Sequence, residues 1–188
     1  MDAERELVRD DGPRSRAQAH VRPHRALITR AAADLVETLQ ARHGALMFHQ
    51  SGGCCDGSSP MCYPDGDFIV GDRDVLLAVL DVGEPGVPVW ISGPQFDTWK
   101  HTQLVIDVVP GRGGGFSLEA PEGKRFLSRG RAFTAEENAA LAGDPPLTGA
   151  RYEAGERPQP HGTHVVAETG RVESDACPLP GRAAPVEG

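Results

Sequence analysis

Three cysteines, Cys54, Cys55 and Cys62, lie within nine positions of one another and follow His49 in the stretch HQSGGCCDGSSPMC. Thiolate sulfur and imidazole nitrogen are the soft and borderline ligands that hold zinc, iron or copper(I). His101 and His43 are the further imidazoles that would close a four-ligand shell if strand ends converge on the loop. The spacing is not the double C-x-x-C arrangement of a zinc finger or ribbon. Vicinal Cys54 and Cys55 point to opposite sides in extended backbone, so both reach one metal only where the chain turns sharply. Gly52, Gly53 and Gly57 permit that turn, since they accept positive φ without steric cost.

Two other readings use the same residues. A cysteine nucleophile would need a thiolate, made by a neighbouring histidine or by glycine-turn amides, and Cys54 with His49 or His101 is the pair that fits. Alternatively Cys54 and Cys62 form a disulfide or simply pack, and the loop is structural. The cysteines stand among Gly, Ser, Asp and Pro, outside any apolar run, which separates them from ordinary core cysteines. Asp56, Asp65, Asp67, Asp72 and Asp74 crowd the same region, as turn formers first, and otherwise as hard-metal ligands or as partners to a ligating histidine. Further on, PGRGGG offers Arg112 and Gly113 as a phosphate nest, although a hairpin connection is the plainer role for this string.

These residues need elements to position them. From Arg25 to Arg42, Leu27, Ile28, Ala31, Leu35, Val36 and Leu39 recur at helical spacing, and His43-Gly44 supplies a stop. Ala45–His49 then reads as a strand entering the loop. Phe68–Val70, Val75–Val82, Val87–Ile91, Leu104–Val109, Phe116–Leu118 and Phe126–Leu127 read as short strands separated by Gly, Pro and Asp. Phe96 and Trp99, three apart, predict one short helix packed on the sheet. Thr134 caps a second short helix before Pro145-Pro146. The expected fold is therefore α+β: an N-terminal amphipathic helix, then a compact sheet of short, mostly antiparallel strands. It occupies residues 25–134 as one domain, with a disordered leader over 1–24 and a tail over 135–188 that loses order from Leu147 and contains Cys177.

Composition narrows the function. The 188-residue chain is 39% apolar, enough for one core of ordinary size. Acidic residues outnumber basic ones 27 to 19, which argues against nucleic acid as a partner. Nothing approaches the roughly 18 apolar residues of a membrane span, and MDAERELVRDDGPRSR has no apolar core of a signal peptide, so the expectation is a cytoplasmic protein. An unpaired edge strand would let two copies meet as a homodimer.

The strings HGALMFHQSGGCCDGSSPMCYP and WKHTQLVIDVVPGRGGGFSLEAPEGKRFLSR, within His43 to Arg129, resemble a bacterial family of unknown function often encoded beside aldehyde dehydrogenases. The resemblance implies an accessory role with an aldehyde dehydrogenase as partner. The layout of Ser51–Cys54, Thr102–Leu104 and Gly114–Gly123 is also similar to that of A-type iron-sulfur carrier (HesB-like) proteins. Those carriers end in a cysteine pair where this chain has Glu122, Gly123, Lys124 and Arg125, so the similarity extends to the sheet layout and not to a cluster held in their manner.

Three functions are thus in view. The first is an accessory protein binding zinc, iron or an iron-sulfur cluster through Cys54, Cys55, Cys62, His49 and His101. The second is a small enzyme acting on an aldehyde-like substrate through Cys54 with His49 or through a bound metal. The third is an interaction module whose cysteines only pack. An aldehyde dehydrogenase itself is excluded, because the chain has no dinucleotide fingerprint and no room for both a cofactor domain and a catalytic domain.

Overall fold

The computed structural model describes residues 23–51, 59–112, 115–158 and 165–166. The elements in chain order are β1 (Ala26–Thr29), α1 (Arg30–His43), β2 (Leu46–Gln50), β3 (Met61–Pro64), β4 (Val75–Leu80), β5 (Val87–Ile91), α2 (Gly93–Trp99), β6 (Thr102–Pro110), a 3-10 turn (Ala120–Glu122), β7 (Lys124–Ala132), α3 (Ala135–Ala142), α4 (Gly149–Glu153) and β8 (Val165–Val166). The fold is α+β, as the patterning predicts.

The helical spacing read from Arg25 divides into two elements. Ala26 and Ile28 are fully buried and pair in parallel with Leu104 and Ile106, so sheet pairing overrides the local helical pattern. The helix proper starts one residue after Thr29, whose hydroxyl accepts the Ala32 N–H at 3.3 Å. It ends where Gly44 takes φ 79°, a conformation costly for a side chain with Cβ.

In place of one compact sheet there are two four-stranded sheets, in the orders β7-β6-β1-β8 and β3-β2-β5-β4. Their long pairings are antiparallel: β6 and β7 are in register from Thr102↔Ala132 to Pro110↔Lys124, while β1–β6, β1–β8 and β2–β5 are short and parallel. Leu35, Val36 and Leu39 of α1 bury against Ile28, Phe48, Val89, Ile106 and Phe126, forming the main core. Phe48 and Phe126 meet edge to face at 4.8 Å. A second cluster of Met47, Leu76 and Trp90 covers the opposite face of the β3-β2-β5-β4 sheet.

Several local expectations change. Phe68–Val70 is irregular, and Phe116–Leu118 is a turn, with Phe116 86% exposed, joined to β3 through Leu118 N–H to Cys62 O and Cys62 N–H to Ser117 Oγ. The PGRGGG string therefore does not lead into a strand at Phe116. The partner of β6 is β7, where Phe126 can be buried. The helix at Phe96 and Trp99 and the Thr134-capped helix are present, the latter with a full Thr134–Glu137 capping box. The disorder expected from Leu147 is not found across the described part of the tail. Thr148 caps α4, and Leu147 and Tyr152 pack on the second cluster, which provides the burial that composition alone concealed. The expected leader through Arg22 lies outside the described residues, as does Cys177. Among the described residues no helix is long and apolar enough to cross a membrane.

Candidate functional site

Strand periodicity decides which of the predicted groups can meet. Successive side chains of a strand face opposite sides, and the antiparallel register of β2 with β3 places Phe48 across from Cys62 and His49 across from Met61. Cys62 consequently shares the core face with Phe48, whereas His49 lies on the other face with Met47. The structure does not bring the Cys62 thiol and the His49 ring together at a common metal, and the expected set Cys54, Cys55, Cys62, His49 and His101 cannot act as one shell.

Cys62 is fully buried and free. Burial pushes its thiol far above the ordinary range, and the charge of nearby Glu119 pushes in the same direction. Its side chain packs in the main core; the expected pairing or packing with Cys54 lies outside the described residues. Sequence reasoning passed over Glu119 in FSLEAPEG, yet its side chain is buried and receives the Ser117 hydroxyl, while the Cys62 N–H donates to Ser117 Oγ at 2.9 Å. Burial raises the Glu119 carboxyl, and the bonds from Ser117 and from Phe126 N–H only partly offset this.

His101 is also elsewhere. Its Nδ1 lies 2.9 Å from Asn138 Oδ1 on α3, on the other sheet. His43 is exposed at the end of α1, and Arg112 is exposed two residues beyond the end of β6. Cys54, Cys55 and Gly113 lie outside the described residues.

What the fold does assemble is a hydrogen-bonded row on the outer face of β2. His49 Nε2 lies 3.0 Å from Asp74 Oδ2, and His49 Nδ1 lies 3.1 Å from Ser51 Oγ. The imidazole side chain is only 5% exposed and the Asp74 side chain 15%. His49 and Ser51 are two apart, so an extended chain aims both to the same face. Asp74 closes a tight turn: its N–H donates to Gly71 O, and Gly71 N–H donates to Asp74 Oδ2, each at 2.9 Å. The turn is clamped from beyond by Gly149 N–H to Asp74 O and by Ala150 N–H to Asp72 O. Phe68 packs against the imidazole at 4.3 Å between centroids, with the rings tilted by 34°, and stacks on Tyr63 at 5.0 Å.

Asp74 therefore fills both roles considered for the aspartates, turn former and histidine partner. An accepting carboxylate oxygen on Nε2 fixes the proton there and leaves the Nδ1 lone pair facing Ser51. Ser51 was not singled out in the sequence, although its position two residues after His49 at the end of a strand was a usable signal.

From Ser51 the chain enters the glycine- and cysteine-bearing segment. Among the described residues no group of three or more His, Cys, Asp and Glu side chains could hold a metal ion. The described arrangement can thus present an oriented imidazole nitrogen, or accept a proton from the neighbouring Ser51 hydroxyl.

A family profile described as "Domain of unknown function (DUF779)" matches residues 35–132, which span α1 through β7 and contain Ser51, His49 and Asp74. No curated protein and no solved structure matches the chain.

Proposed function

The chain belongs to the family described as a domain of unknown function (DUF779), and from that premise we propose that it is an accessory protein that binds a thiophilic metal species at the start of its cysteine segment. The ligands in this reading are Cys54, Cys55 and His49 Nδ1, and the species is zinc, iron or an iron-sulfur cluster. The observation that carries it is the Asp74–His49 hydrogen bond. Histidines that ligate metals characteristically donate their other ring N–H to a carboxylate, which fixes the tautomer and raises the basicity of the ligating nitrogen. Here the fixed tautomer turns Nδ1 toward the chain that leads to Cys54 within three residues. Cys62 and His101 have no part in the shell, because the register and the α3 contact hold them away.

An aldehyde dehydrogenase as the partner served is supported by the resemblance of the HGALMFHQSGGCCDGSSPMCYP string to a family encoded beside such enzymes. The cytoplasm is the compartment in which unpaired vicinal thiols persist, and it fits this reading.

Elemental analysis of the tag-free protein purified without oxygen tests the proposal. The expected result is bound zinc or iron in the wild type, lost in a Cys54→Ser/Cys55→Ser variant and kept in folded Cys62→Ala. Equal, trace metal in the wild type and the double variant would overturn it. Co-purification with an aldehyde dehydrogenase, expected for the wild type, tests the partner separately.

A further inference from the structure

Ser51, His49 and Asp74 also form the constellation in which a hydroxyl is made nucleophilic: the hydroxyl lies within hydrogen-bond reach of an imidazole that a carboxylate orients from its far side. The two ring nitrogens are used in the opposite sense to the usual serine hydrolase, with the carboxylate on Nε2 and the hydroxyl on Nδ1, and the proton route is unchanged. The row is rigid. Asp74 is pinned by Gly71 N–H and by Gly149 N–H, and the imidazole packs at a tilt against Phe68. Ser51 itself is half-buried at the end of β2, less enclosed than the buried His49.

Beside this row runs a groove of about 510 Å³ on the outer face of the β3-β2-β5-β4 sheet, within the roughly 300–1,000 Å³ of small-molecule sites. Met47, Phe68, Leu76, Trp90 and Tyr152 are among its walls. Phe68 is a wall that also packs at a tilt against the imidazole, and Trp90 is the residue in register with His49. The groove thus borders the imidazole through Phe68, without His49 or Ser51 among its walls, and Ser51 lies about 7 Å further along the strand direction.

We propose that Ser51 is a reactive serine that takes the acyl group of an ester or thioester whose apolar chain lies in this groove. The Ser51 oxygen bonds to the carbonyl carbon while its proton passes to His49 Nδ1. The tetrahedral adduct collapses, the bond to the alcohol or thiol breaks, and that leaving group departs with the proton from His49. Water, losing its proton to His49, then attacks the acyl-serine; the carboxylic acid leaves and Ser51 recovers its proton. The sum is ester plus water to acid plus alcohol, with nothing oxidised or reduced. Asp74 is a positioning residue, since within the row it contacts the imidazole and not the Ser51 hydroxyl. This inference does not rest on the metal reading, but the two compete for Nδ1, so a bound metal silences the serine.

The test uses the full chain, stripped with a chelator, a fluorophosphonate probe and p-nitrophenyl esters of acetate and octanoate. The expected result is phosphonate on Ser51 by peptide mass spectrometry, none at that position in Ser51→Ala, and a labelling rate about 10²–10⁴ lower in His49→Gln. Asp74→Asn, which keeps a side chain of the same shape, lowers the rate with the fold intact by circular dichroism, and a shift of the pH profile separates positioning from a structural role. Octanoate is favoured over acetate by about tenfold or more, as burial of added methylenes requires. An unlabelled Ser51 in the folded wild type, or equal labelling in wild type and His49→Gln, overturns the proposal, and equal rates for the two esters overturn the role of the groove. Zinc added before the probe separates the two readings: protection of Ser51 supports both, whereas unprotected labelling with no zinc bound removes the metal reading and leaves the serine.

Discussion

Replacing Cys62 by Ser should destabilise the fold without emptying the proposed metal site. The side chain is fully buried on the core face opposite Phe48, in the cluster that also holds Phe126 and Val89. The nearest polar system, Ser117 with Glu119, is already engaged: Ser117 Oγ accepts the Cys62 N–H and donates to Glu119. A serine hydroxyl at this position must be desolvated with no partner assigned to it, which costs about 1–3 kcal/mol. Cys62→Ala removes the sulfur and leaves only a small void, for a loss of about 1 kcal/mol. The serine variant should thus be the less stable of the two, an order opposite to that expected from size alone. Urea denaturation followed by far-ultraviolet circular dichroism and by tryptophan emission measures both losses, and metal content is read on the folded fraction. In the native wild type, Cys62 should resist thiol reagents until urea unfolds the chain, because burial and the Glu119 charge suppress its thiolate. A Cys62→Ser protein as stable as wild type but free of metal would refute the argument, for it would make Cys62 a ligand and misplace the strand register.

Other consequences are as direct. Asp107 would be raised by burial, but hydrogen bonds from Arg129, Val108 N–H and Thr29, with the Arg129 charge, outweigh that and hold its carboxyl below the usual range. Its contribution is therefore present above the unfolded carboxylate pKa and lost as pH falls through the lower folded value; Asp107→Asn should cost about 1–3 kcal/mol at neutral pH, with the gap to wild type closing in acid melting curves. Glu119 has the opposite sign. Its raised carboxyl gives stability that is full below the unfolded pKa and lost as pH rises through the folded one, so wild type should lose stability relative to Glu119→Gln between acid and neutral pH in the same melts. At Gly149 an added Cβ would stand 2.0 Å from Gly71 O, so Gly149→Ala should displace the turn that carries Asp74, with a loss of about 1–3 kcal/mol and a changed His49 ring signal by nitrogen-detected NMR.

The sequence pattern was informative wherever a local rule governs the outcome. Thr134 with Glu137 three residues on is a capping box, and the structure forms it; Phe96 and Trp99 lie on the single helical turn that their spacing requires. Ala26–Thr29 was misread because its residues satisfy a helical period as well as a strand period, and only the pairing with β6 chooses between them. The partner of β6 was hidden for a related reason. Phe116–Leu118 and Phe126–Leu127 are both short apolar runs, and what favours the second is a long antiparallel register that leaves Phe126 buried. At the site, His49 was legible as a chemical residue and Asp74 as one of several candidate partners. That the two meet depends on a turn clamped by α4, some 75 residues away in sequence. The separation of His49 from Cys62 depends on parity across the β2–β3 pair, which no count of cysteines reveals.

The measurement closest to the central claim is X-ray absorption at the zinc edge on the stripped protein reloaded with one equivalent of zinc. The account predicts a first shell with two sulfurs at about 2.3 Å and one nitrogen at about 2.0 Å, the nitrogen contribution disappearing in His49→Gln. A shell with three sulfurs, or one of oxygen and nitrogen alone, would contradict it.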